Sequence, residues 1–280
     1  MPTNYVGGQA VIEGVMMRSK EKIATAVRKK GKIIVKEQEF HSFTEKSKLL
    51  RLPIIRGMIF LIEMTILGMK TLTWSADQQT NNEEQLSKIE LIASLAFAIT
   101  MTLLMFVVGP YYLTKLLTNG QGMAFNAIDG GLRLGAFIGY IVLIGLMKDI
   151  KRVFQYHGAE HKTVNCYEQK MPLTVSNVKK CSVQHPRCGT SLIVFVIAVS
   201  ILLFSLIKDP RWYVNIGMRI IAIPLIAGIS YEALKFSAKY NTNKLLRIII
   251  TPGLWVQKLT TREPNNKQIE VAIAALQKVL

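Results

Sequence analysis

Residues 91–114 read LIASLAFAITMTLLMFVVGPYYLT, twenty-four consecutive positions without a charged side chain. At the α-helical rise such a run extends roughly 36 Å, more than the ~30 Å hydrocarbon core of a bilayer. This stretch decides the fold class, because every backbone polar group in lipid must be satisfied within the chain and a helix does so. Two further runs read the same way. Residues 189–207 are GTSLIVFVIAVSILLFSLI, and residues 212–231 carry a single charge, Arg219. A fourth span is expected in the second half of 116–147, with Asp129 and Arg133 near its start. Residues 52–69 are shorter and hold Arg56 and Glu63.

Composition agrees. Half of the 280 residues are hydrophobic and 19% are charged, with a mean hydropathy of +0.28. This apolar excess excludes a disordered chain, and three cysteines exclude a disulfide scaffold. The opening residues lack the basic region and short apolar core of a signal peptide. The 35 Lys and Arg outnumber the 18 Asp and Glu, for a net charge of +17. Eleven of the basic residues fall in 1–51, eight in 148–188 and eight in 235–280. With four spans and both termini in the cytoplasm, all three basic blocks lie on the cytoplasmic side, as the positive-inside rule favours. A fifth crossing at 52–69 would move the 148–188 block outside.

Outside the spans, residues 22–40 alternate apolar and polar around Lys30-Gly31, which predicts a β-hairpin. The glycine pair of GGQAVIEG predicts a tight turn before it. Residues 77–90 form a polar connector. Ile269, Ala272, Ile273, Leu276 and Leu280 fall at helical spacing after Pro264-Asn265-Asn266, predicting an amphipathic helix on the membrane or on the hairpin. The sequence therefore reads as a mainly α, polytopic helical membrane protein with four spanning helices, one re-entrant or interfacial helix and a small cytoplasmic β-hairpin element. Residues 1–51 are the β-containing N-terminal element and 52–74 the re-entrant or interfacial helix. Residues 75–240 are the membrane domain, including a cytoplasmic His/Cys loop at 148–188, and 241–280 are the cytoplasmic tail.

Three of the four histidines sit in that loop. His157-Gly-Ala-Glu160-His161 places two imidazoles four residues apart, on one face if the segment is helical, with Glu160 beside them. The H-x-x-E-H order is the reverse of the zincin motif, and Glu160 is positioned to act as a general base. Cys181, His185 and Cys188 follow in CSVQHPRCG. Cys and His are the usual zinc ligands, so zinc held by His157, His161 and a third ligand is the expected cofactor. His185 is the preferred third ligand, with Cys188 and Glu232 competing. A closed set of His157, His161, His185 and Cys188 would instead be structural, and a metal-free loop with ordinary hydrogen bonds is the plain alternative. Cys166 and Cys181 receive no role. The charges within the apolar segments, Arg56, Glu63, Asp129, Arg133, Arg219 and Glu232, are three of each sign. They read either as mutual pairs that orient helices, Asp129 and Arg133 at i,i+4 among them, or as a polar groove.

The motifs GGQAVIEGVMMR (7–18), IRG (55–57), YHGAEHK (156–162), HPRCGTS (185–191), SYE (230–232) and PGLWVQKLTTREP (252–264) together resemble the YqhQ-like family, domain of unknown function 1385. The resemblance implies a multi-pass protein of the bacterial cell membrane and a candidate metal-dependent enzyme without an established reaction. It marks His157, Glu160, His161, His185 and Cys188 as motif positions. Glu13 and Arg18 belong to the N-terminal signature without an assigned role, and Cys181 lies outside the pattern. The expectation is a zinc-dependent hydrolase at the cytoplasmic membrane surface, acting on a membrane-protein segment or a lipid, with the bilayer as partner and a homo-oligomer allowed. The alternative is a non-catalytic assembly factor whose basic face contacts the translocon, the ribosome or anionic lipid; no other nucleic-acid contact is expected.

Overall fold

The computed structural model describes residues 6–80, 87–118, 122–207, 209, 211–239 and 244–280. The expected connector at 77–90 thus lies partly outside the described residues. The predicted hairpin is present, as β3 (Lys22–Lys29) and β4 (Lys32–Glu39). Lys30 and Gly31 both take positive φ, +47° and +85°, the geometry that a two-residue turn between antiparallel strands requires. The hairpin is half of a larger element than the sequence suggested. β1 (Gly7–Val11) and β2 (Gly14–Arg18) precede it, and the four strands form one antiparallel meander in chain order. Ile12 and Glu13 make the first turn, Glu13 with φ +53°.

Both faces of the sheet are covered. On one, Val15, Met17, Ala24 and Ala26 pack against α5 (Lys148–Glu168) and α10 (Asn266–Val279). On the other, Val11, Met16, Ile23 and Val27 meet Leu67 of α1 (Ile55–Gln79). The strict two-residue period explains why one strand serves two cores. The C-terminal helix α10 lies on the sheet, with an Asn265–Gln268 capping box at its start.

α1 is one continuous helix of 25 residues. Glu63, Thr71 and Ser75 point inward, while Thr65 and Lys70 are exposed. Gln9 Nε2 donates to Thr71 Oγ1 at 2.9 Å, Ile12 N–H donates to Ser75 Oγ at 3.1 Å, and Glu63 accepts from Ser42 Oγ at 3.0 Å and from Phe43 N–H. Its outward residues include Ile62, Ile66 and Leu72. This inversion of the usual helix pattern suits a face turned to lipid.

Among the described residues, three helical stretches are long and apolar enough to cross a membrane: Ile92–Leu117, Met123–Ile144 and Trp212–Ser237. The first joins α2 (Lys88–Leu103) to α3 (Gly109–Leu117) through a π turn over Leu104–Val108. Pro110 has no N–H to donate, and the chain widens ahead of it, with Gly109 N–H bonded to Leu104 O. The second is α4 (Met123–Ile144), and the third lies within α8 (Trp212–Lys239). The span expected at 189–207 falls short. α7 (Gly189–Phe204) has 16 residues and gives way to a turn at Ser205, so its helix is about 24 Å long. The 148–188 connection is largely helical: α5 is followed by the short α6 (Val175–Lys180). α9 (Lys244–Thr260) was not expected, because Pro252-Gly253 in its middle argues against a helix.

Candidate metal centre

α5 carries the H-G-A-E-H motif, so His157 and His161 stand one turn apart with ring centroids 4.4 Å from each other. Each ring is fixed by a backbone carbonyl. His157 Nδ1 lies 2.9 Å from Thr260 O, and His161 Nδ1 lies 2.6 Å from Val183 O. A carbonyl oxygen only accepts, so each Nδ1 carries a hydrogen and the neutral ring keeps its lone pair on Nε2. Orientation of this kind is typical of metal-ligating histidines. His157 Nε2 is 3.4 Å from Cys188 Sγ, and the ligand atoms of His157, His161 and Cys188 all lie within 4.8 Å of one another. Donors around a tetrahedral zinc ion are about 3.4–3.6 Å apart. Glu160 Oε2 is 3.5 Å from His161 Nε2, and Glu160, His161 and Cys188 are buried. The set can hold a transition metal, with a carboxylate at its edge able to take a proton.

Three local features bring these groups together. Gly158 lets the chain after α9 cross α5 closely: a Cβ at this position would lie 2.0 Å from Arg262 O. Arg262 N–H in turn bonds Phe154 O at 3.0 Å, and the same segment supplies Thr260 O to His157. Cys188 is the N-cap of α7, its sulfur accepting from Thr190 N–H. Gln257 of α9 is fully buried. It accepts from His185 N–H at 3.0 Å and donates to His185 O at 2.8 Å and Ser191 Oγ at 2.9 Å, clamping the loop to the start of α7. The PGLWVQKLTTREP motif therefore supplies the frame of the cluster. Sequence reading quoted it without seeing Gln257 or Thr260 as part of the site.

Two expected ligands are elsewhere. His185 is turned away: its Nδ1 accepts from Arg187 N–H at 3.3 Å, leaving Nε2–H to face Glu168 Oε2 at 3.3 Å. Burial pulls its pKa below the ordinary histidine value, so it sits as a neutral ring. Cys188 takes the position that His185 was expected to fill. Glu232 lies at the α1–α8 contact, where both of its oxygens are bound by Arg56, Nε at 2.6 Å. Glu63 is not the partner of Arg56, although one heptad separates them. Asp129 pairs with Arg133 at 2.9 Å and with Arg219 at 2.6 Å. Cys166 and Cys181 are adjacent in an apolar cluster with Val178, Ile269 and Ile273, and burial pushes the Cys166 thiol up to about 11.

Glu13 has a part to play. From its turn it binds Arg152 of α5 through both oxygens, and Tyr156 OH lies 3.5 Å away. This latch seats the sheet against the helix that carries His157. Burial, together with the Glu13 charge, raises the Tyr156 pKa, which keeps the phenol protonated. Arg18 occupies a different place, at the end of β2 beneath Phe40.

The profile of the family described as "Protein of unknown function (DUF1385)" matches residues 52–280, and the chain belongs to that family. It is similar to a Bacillus subtilis (strain 168) protein whose name is given as "Uncharacterized protein YqhQ". The two are 36% identical over 302 residues, which cover 100% of this chain and 93% of the relative. No solved structure matches.

Proposed function

We propose that this protein is a zinc-dependent hydrolase of the bacterial cell membrane, with His157, His161 and Cys188 as ligands and Glu160 as general base. One observation carries the reading. Two imidazoles, each with Nδ1 committed to a carbonyl, share a cluster with one sulfur: His157 Nε2 lies 3.4 Å from Cys188 Sγ, His161 Nε2 lies 3.5 Å from Glu160, and the ligand atoms of the two histidines and Cys188 lie within 4.8 Å of one another. The thiol supplies at most one proton to two lone pairs, and the carboxylate of Glu160 adds a further acceptor. A cation resolves this excess of acceptors. Zinc in such a set supplies Lewis acidity and makes water more acidic. Glu160 accepts the proton lost by the attacking water, and the buried walls exclude bulk solvent. The cluster lies at the N-terminus of the apolar helix α7. That position suits a substrate presented at the cytoplasmic surface of the bilayer, a membrane-protein segment or a lipid.

A second reading also has support. The three ligands belong to α5 and the N-cap of α7; His157 is tied to Thr260 of α9 and His161 to Val183 of the intervening loop. A metal there would staple these elements and serve an assembly factor without catalysis. Glu160→Gln separates the two. Protein purified in detergent should hold about one zinc per chain, lost in His157→Ala. Glu160→Gln should keep the zinc and lower hydrolysis of membrane-extract lipids or a transmembrane reporter peptide by about 10²–10⁴-fold. Zinc content no higher in wild type than in His157→Ala ends the metal reading. Full function in Glu160→Gln selects the structural one.

A further inference from the structure

Buried arginines in this molecule generally meet a carboxylate. Arg56 meets Glu232, Arg133 and Arg219 meet Asp129, and Arg28 meets Glu270. Arg18 differs. Among the described residues it makes no ion pair; its Nε, like those of Arg28 and Arg133, is buried without a hydrogen-bond partner, and its Nη1 points at Met64 Sδ, 3.3 Å away and a poor acceptor. The guanidinium is stacked 3.9 Å from the Phe40 ring centroid and lies 5.5 Å from that of Phe60. The nearby carboxylate of Glu63 is occupied by Ser42 and by Phe43 N–H. Arg18 is only half-buried, so an outside group can reach its fork. A planar guanidinium held rigid between aromatic faces, with donors to spare, is built for a bidentate oxyanion.

The surroundings indicate where that oxyanion comes from. Residues 43–52 expose Phe43 (50%) and Leu49 (61%) alongside Lys46, Lys48 and Arg51. The outward face of α1 exposes Ile62 (59%) and Ile66. Apolar residues interleaved with cations form the pattern of a segment lying in the headgroup layer. Phe60 stacks on Tyr231 of α8 at 4.8 Å, which joins the Arg18 seat to a helix able to cross the bilayer. We propose that Arg18 holds the phosphate of an anionic lipid headgroup.

Full-length protein in a neutral, phosphate-free detergent is titrated with short-chain phosphatidylglycerol and, separately, with inorganic phosphate, and occupancy is read by native mass spectrometry. Wild type should bind one phosphatidylglycerol saturably. Arg18→Gln should weaken binding by about tenfold or more, and Arg18→Lys, which keeps charge without the fork, should fall between. Lys267→Gln, exposed at the start of α10 on the other face of the sheet, should change affinity by less than about twofold. Inorganic phosphate that displaces the lipid at equal affinity keeps the phosphate seat and names free phosphate as its occupant. Equal affinity in wild type and a normally folded Arg18→Gln overturns the proposal. Where Arg18→Gln does not fold, unchanged affinity in Arg18→Lys overturns it instead.

Discussion

Two polar clusters lie within this molecule, and they follow opposite rules. Around Arg219, in helices long and apolar enough to cross a membrane, the guanidinium's donors meet acceptors, although the neighbouring Asp129 Oδ1 and Arg133 Nε have no hydrogen-bond partner. The guanidinium donates to Asn215 Oδ1 at 2.9 Å, Asp129 Oδ2 at 2.6 Å and Asn126 Oδ1 at 2.7 Å. Its carbon lies 4.9 Å from the centroid of Tyr111 and 4.7 Å from that of Phe204. Around Cys188 acceptors meet acceptors: two Nε2 lone pairs, a sulfur and a neighbouring carboxylate. Matched clusters orient helices, whereas a cluster of one kind indicates a missing partner of the other kind. Arg18, with donors and no acceptor, is the complementary case.

The largest effect should come from breaking the matched cluster. Arg219→Ala leaves Asn126, Asn215 and part of Asp129 unpaired in an apolar setting, and stability should fall by about 3–5 kcal/mol, measured by denaturation in detergent micelles. Zinc binding by whatever fraction remains folded should be unchanged, because the ligands lie on other segments. An intermediate effect is expected for Gly158→Ala. The added methyl meets Arg262 O, so the crossing segment must move, costing about 1–3 kcal/mol, and Thr260 O should leave His157. Zinc content and melting temperature should then fall together. The smallest effect should come from Cys188→Ser in metal-free protein. Serine can keep the N-cap contacts that the sulfur makes with Thr190 Oγ1 at 3.1 Å and Thr190 N–H at 3.5 Å, so stability should change by no more than about 0.5 kcal/mol, while zinc binding is lost. A large loss in the metal-free state would place Cys188 with the matched cluster and break the comparison.

Features set by local rules were legible in the sequence. Apolar runs with few or no charges marked three helices of spanning length, alternation marked the β3–β4 hairpin, and apolar spacing marked α10. The i,i+4 histidines were visible for the same reason. What escaped depends on tertiary placement. Cys188 rather than His185 joins the cluster because Arg187 N–H fixes the His185 ring, which no spacing rule encodes. Gln257 is a helical glutamine in a segment whose proline and glycine hide the helix. Glu13 meets Arg152 across 139 positions, and Arg56 chooses Glu232 over the nearer Glu63. The apolar run at 189–207 has enough residues to span, but α7 stops at Phe204 and the remainder turns.

The C-terminal helix α10 rests on strands formed by the first forty residues, and the segment just before it crosses Gly158. Consequently, during synthesis the strands have no lid until α10, made far later, is available. Covering of the sheet, and closure of the cluster beside it, waits on that distant contact. A product lacking α10 would thus leave unsheltered strand surface, a state suited to recognition by quality-control proteases.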